Sequence, residues 1–121
     1  MNKKKHIASM LIAWRYAKKQ TQSKVAKNLG VTFQQIQKYE DLTNGISALR
    51  LLDFCDSYDI PLQQFQTGDC FSVLDGADIS ILKKEQAMKK IETLKLDEVE
   101  NDKSGSNENM AGQGFGQGTY L

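Results

Sequence analysis

The residues able to do covalent or metal chemistry are few and scattered. His6 is the only histidine, and Cys55 and Cys70 share no metal-ligand spacing with it or with each other. A zinc-type centre therefore has no set of donors to draw on. Cys55 falls on the apolar face of a helical pattern, where a cysteine acts as a small apolar residue. No nucleophile stands in a pattern with a base. The run Gly112-Gln113-Gly114-Phe115-Gly116-Gln117-Gly118 follows no strand and opens no helix, so it is not a phosphate-cradling loop. Nothing supports an enzyme, and no cofactor or metal is implied. A different chemistry is concentrated between residues 22 and 44, where Gln22, Lys24, Gln34, Gln37 and Lys38 fall close together. Glutamine can bond adenine N6 and N7 together, and lysine can donate to guanine.

The charge distribution agrees with an anionic partner for this part of the chain. The net charge of +1 over 121 residues hides an asymmetry. Residues 1–66 hold ten Lys and Arg against five acids, and the remainder holds six lysines against ten acids. A basic half joined to an acidic one points to an anion for the first half only. No apolar run is long enough to span a membrane, and the stretch after Lys3, Lys4 and Lys5 is broken by Ser9 and Arg15, which is unlike a secretory signal. Two cysteines are too few for a disulfide scaffold, so a reducing cytoplasm is the expected location.

The elements that must position these residues are helical, and no strand-like alternation is convincing. Ile7, Met10, Leu11, Trp14 and Ala17 recur at helical spacing and define a first helix closed by Lys18 and Lys19. Thr21 caps a second helix over 22–29, whose inward face is Val25, Ala26 and Leu29, and Gly30 sits where a left-handed cap is wanted. Thr32 caps a third helix, 33–41, with Ile36 inward. A fourth starts at Ser47 and carries Leu51, Leu52, Cys55 and Tyr58. Pro61 suits the first turn of a fifth, ending near Phe65. Segment 67–77 reads as a linker, although Phe71, Val73 and Leu74 could form a short packed turn. A sixth helix runs from Ser80 to about Val99 with Ile81, Ala87, Met88, Ile91 and Leu94 on one broad face. Five of the nine glycines lie in the last 17 residues, so 101–121 is expected to be a disordered, Gly-rich tail.

The tight Gly30-Val31-Thr32 connection forces the second and third helices to cross steeply, which is helix-turn-helix geometry. The stretch from Thr21 through Gln22, Val25, Ala26, Leu29, Gly30, Val31, Thr32, Ile36 and Tyr39 to Glu40 resembles the lambda-repressor/Cro-type (XRE-like) helix-turn-helix family and matches its fixed positions. The resemblance covers about residues 6–66, including Ile60-Pro61-Leu62. It implies an all-α, five-helix DNA-binding domain, here with an additional C-terminal helix. It also assigns Gln22 to a backbone phosphate, and Arg15 and Glu40 to a structural salt bridge between the first and third helices. The loop after Glu40 departs from the pattern. Leu42 stands near where the family often has glycine, a left-handed cap is costly for it, and the loop offers no Arg or Lys.

The sequence thus leads to a sequence-specific transcriptional regulator, of the repressor kind found in bacteria or phages, bound to double-stranded DNA as a homodimer. Base contacts are expected from Phe33 (on a thymine methyl), Gln34, Gln37 and Lys38 of the third helix. Phosphate contacts are expected from Gln22, Lys24, Thr32, Thr43 and Asn44. Lys3, Lys4 and Lys5 form either a basic arm along the DNA or a disordered end. The apolar stripe of the sixth helix needs cover, from a second copy or by folding back onto its own domain. The alternative function is a protein-interaction module, antitoxin-like or inhibitor-like, whose C-terminal segment binds a protein partner.

Overall fold

The computed structural model describes residues 2–105, and every regular element among them is a helix. In order these are α1 (Lys3–Ala17), α2 (Gln22–Leu29), α3 (Phe33–Asp41), α4 (Ala48–Tyr58), α5 (Gln64–Thr67), α6 (Cys70–Asp75) and α7 (Ile81–Gly105). Most starts are written in a capping side chain. The Oγ1 of Thr21 accepts from the Lys24 N–H, Thr32 from Gln35, Ser47 from Arg50 and Ser80 from Lys83, while Asp69 accepts from Ser72. Each satisfies a donor that the first turn leaves orphaned.

Helix α1 is the axis of the fold. Ala8, Met10, Leu11, Ile12 and Ala13 are all buried, far more of the circumference than one stripe can supply. A helix buried nearly all round must be covered from several sides. The cover comes from α3, α5 and α6, and from α7 on a further face. Ile36, Tyr39, Leu51, Phe54, Ile60 and Phe65 complete the core on the α3–α5 side, with Phe54 edge-on to Phe65.

Several expectations are corrected here, and of the two covers left open for the last helix, folding back is the one observed. The segment read as a linker carries α6, started by the Asp69 cap, and its Leu74 is only 1% exposed. The fifth helix begins at Gln64 rather than at Pro61, whose carbonyl accepts the Gln64 N–H in the turn ahead of it. Helix α7 folds back on α1: Ala87, Ile91 and Leu94 are buried in the same core as Met10 and Ile12. Ile81 and Met88, read with them as one stripe, remain exposed. Lys3, Lys4 and Lys5 are neither arm nor loose end but the first turn of α1, capped by Asn2 Oδ1. Lys5 is buried and its Nζ donates to the Leu94 carbonyl at 2.6 Å, tying α1 to α7. The helical pattern also runs past its expected end, so 101–105 belong to α7. The rest of the Gly-rich tail, 106–121, lies outside the described residues.

Candidate nucleic-acid interface

The α2–α3 pair is built around one left-handed residue. Gly30 closes α2 at φ 71°, and the Gly30 and Val31 N–H groups donate back to the Lys27 and Ala26 carbonyls. An added Cβ would meet nothing within 4 Å, so glycine answers a backbone demand here and not a packing one. Arg50 of α4 reaches the Leu29 carbonyl with its Nη1 at 2.9 Å, satisfying the end of α2 from outside. Val25, Ala26, Leu29 and Ile36 are buried between the helices.

With that face inward, the other face of α3 must point to solvent. Phe33, Gln34, Gln37 and Lys38 are all exposed. Gln34 and Lys38 are four residues apart, as are Phe33 and Gln37, so the two pairs lie side by side over the first two turns. Thr32 spends one lone pair of its hydroxyl on the Gln35 N–H and keeps its own proton to donate.

Behind this face lies a buried ionic cluster. Arg15 grips Glu40 in a bidentate manner: Nε donates to Oε2, and Nη2 donates to Oε1 at 3.0 Å. The two residues are 6% and 4% exposed. Gln22 donates its side-chain amide to the same Oε1 at 3.0 Å, and Lys90 of α7 donates to it at 2.7 Å. Burial pushes the Glu40 carboxyl upward, but Arg15 through hydrogen bond and charge, helped by Lys90, outweighs this and holds it below the ordinary carboxylate range. One carboxylate thus locks α1, the start of α2, the end of α3 and α7 together.

The expected phosphate-contact residues divide. Lys24 is exposed, and Gln22 is half-buried with one amide N–H committed to Glu40 and a second left over. Thr43 is exposed, and both its N–H and its hydroxyl donate to Asp41 Oδ1, at 2.9 and 2.6 Å. Asn44 is half-buried and its N–H donates to the Lys38 carbonyl. The loop departs from the sequence reading in one more way. Leu42 does adopt the left-handed cap, φ 65° and ψ 21°, which α3 requires to stop. Its side chain packs against the core, and that burial offsets a cost of about 1–2 kcal/mol for a left-handed non-glycine residue.

Sequence reasoning missed Lys90, since nothing in a helical pattern says which lysine faces a carboxylate fifty residues away. It also missed the chain in which Asn28 donates to the Tyr58 hydroxyl at 2.6 Å and that hydroxyl donates to Gln20 Oε1 at 3.3 Å, linking α2, α4 and the turn after α1. Among the described residues no cluster of His, Cys, Asp and Glu could hold a metal ion, and no helix is long and apolar enough to cross a membrane.

No family model matches the chain, and no solved structure does. Curated relatives do match. A protein of Sinorhizobium medicae named an uncharacterised HTH-type transcriptional regulator is 39% identical over 70 residues, covering 53% of this chain and 50% of its own. A protein of Rhizobium meliloti with the same kind of name aligns equally well. A protein of Rhodospirillum rubrum named an uncharacterised transcriptional regulator in the ATPase CF(0) region is 44% identical over 57 residues, covering 47% of this chain and 48% of its own. This chain thus spans about half the length of the curated relatives it matches, and over that half it is similar to proteins named as transcriptional regulators, two of them as HTH-type.

Proposed function

We propose that the chain is a sequence-specific DNA-binding transcriptional regulator of the lambda-repressor/Cro type, acting as a repressor. Helix α3 enters the major groove, with Gln34 and Lys38 on base edges and Phe33 and Gln37 beside them. Lys24, the Thr32 hydroxyl and the second amide N–H of Gln22 hold the flanking phosphates. One observation carries the reading. The capped α2–Gly30–α3 unit is fixed from behind by the Arg15–Glu40–Gln22 cluster and leaves an amide-rich, cationic helix face in solvent. The names of the relatives point the same way.

Two copies would set two α3 helices in successive major grooves, about 34–36 Å apart. The dimer contact proposed here uses α7 residues that the fold leaves uncovered, Ile81, Leu82 and Leu96, which are 75%, 63% and 64% exposed. It does not use Ile91 and Leu94, which are occupied by α1.

The test is selection of bound duplexes from a random pool by the full chain. A recovered palindromic site with half-sites one helical turn apart, bound with an affinity that falls steeply with salt, supports the reading. Recovery of no consensus would overturn it. A reporter with the recovered site placed over its promoter then separates repression from activation.

A further inference from the structure

A cavity of about 620 Å³ opens where α7 crosses the ends of α1 and α2. Its walls include Lys19 at the close of α1, Gln22 and Ser23 in the first turn of α2, and Lys83 and Lys90 of α7. Phe33, the first residue of α3, also lines it, so the cavity adjoins the face assigned to DNA. Four cations border it, counting Arg15, and two carboxylates answer them. Glu40 is shared by Arg15 and Lys90, and Asp78 stands 3.8 Å from Lys19 with both groups exposed. Two positive charges are therefore left over. The ammonium of Lys83 has no ion pair among the described residues, and Lys90 keeps two N–H donors beyond the one given to Glu40. The first turn of α2, with its orphan N–H groups and positive dipole end, borders the same space through Gln22 and Ser23.

We propose that this cavity seats a phosphate group of the DNA backbone, which makes α7 part of the nucleic-acid interface. Lys83 and Lys19 hold the phosphate from two sides. Lys90 and the free amide N–H of Gln22 close the third, and both are aimed by the one Glu40 oxygen. The acidic composition of the C-terminal half conceals this: Lys83 and Lys90 line the cavity, whereas Glu85 and Glu92 of α7 do not. Asp78 opposes the phosphate, and as a fully exposed side chain it turns aside at little cost. The proposal rests on the DNA-binding reading above.

The experiment measures affinity of the full chain for its selected duplex against salt. Lys19→Gln, Lys83→Gln and their combination are compared with Lys89→Gln, an exposed α7 lysine outside the cavity. Each cavity variant is expected to lower the slope of log K on log salt by about 0.9, the value for one phosphate contact, and the combination by more than either alone. Base preference stays as in the wild type. Lys89→Gln leaves the slope unchanged, and Asp78→Asn tightens binding. All these residues are exposed, so melting temperatures should hold. Cavity variants that match Lys89→Gln, against a wild type that binds steeply, would overturn this inference alone. A wild type that binds no duplex would remove the DNA reading together with it. Adenosine 5′-monophosphate is titrated calorimetrically as the free-phosphate source. Saturable micromolar binding that vanishes in the double variant, with DNA slopes unaltered, would give the cavity to a small phosphorylated compound and overturn its assignment to DNA.

Discussion

Replacing Glu40 by leucine should be among the most damaging single changes in the domain, and the reason is local. Arg15 is 6% exposed, its guanidinium is spent on Glu40 and on the Gln20 carbonyl, and its cationic form has no other carboxylate within reach among the described residues. Without Glu40 a buried cation loses its counter-charge. Breaking one partner of such a pair costs about 3–5 kcal/mol. Lys90 adds little to that figure, because its side chain is 37% exposed and can swing to water. For a domain of this size the loss corresponds to a fall in melting temperature of about 12 °C or more. Urea denaturation of four proteins gives the answer: wild type, Glu40→Leu, Arg15→Met and the double variant. Each single variant should lose stability heavily, and the double should regain part of it, since an apolar pair of similar volume avoids the desolvation cost. Coupling of about 2 kcal/mol or more is expected. Additive losses, or a Glu40→Leu cost below about 0.5 kcal/mol, would refute the claim that this pair holds α1 to α3.

Acid should reveal the same group. Its folded carboxyl sits below the ordinary range, so its stabilising contribution is complete above the unfolded value of about 4.3 and disappears as pH falls through the depressed folded value. Stability measured from pH 6 to pH 3 should fall less in Arg15→Met/Glu40→Leu than in wild type. Ile91→Ala should cost about 2–5 kcal/mol by calorimetry, because Ile91 is wholly buried against α1, and removal of α7 should unfold the chain instead of yielding a stable shorter domain. Gly30→Ala forces an L-residue to φ 71° and should cost about 1–2 kcal/mol. Gly68→Ala fails for another reason, since its Cβ would lie 2.4 Å from the Gln64 carbonyl oxygen and 2.8 Å from Met10 Cε.

The helix-turn-helix unit was legible because its signals are local. Thr21, Gly30 and Thr32 each answer a demand made within four residues of themselves, and the inward Val25, Ala26, Leu29 and Ile36 follow from spacing. The far side of α1 was not legible as a destination. The adjacent Ile12 and Ala13, off the expected stripe, did announce that α1 is buried on more than one face. Nothing in them says that the cover comes from α6 and α7, pairings across about sixty and about eighty residues. The linker reading of 67–77 failed because six-residue α6 is too short for periodicity, although its Asp69 cap and Leu74 were visible. Leu42 was misjudged from propensity alone, where packing of its side chain against the core outweighs the backbone cost. The exposed face of α3 could be named residue by residue, Phe33, Gln34, Gln37 and Lys38. The positions of Lys83 and Lys90 beside the start of α2 could not, since they depend on how α7 is rotated when it docks.

Helix α3, on the reading proposed above, reads base edges. The direct measurement is the base preference of wild type, Gln34→Ala and Lys38→Ala at every position of the selected site, with melting temperature followed in parallel. Both side chains are exposed and neither supports the core. Each variant should lose about 1–3 kcal/mol of discrimination at its own base pair, keep its preferences elsewhere and melt with the wild type. Variants that retain the wild-type preference at every position would remove α3 from the major groove.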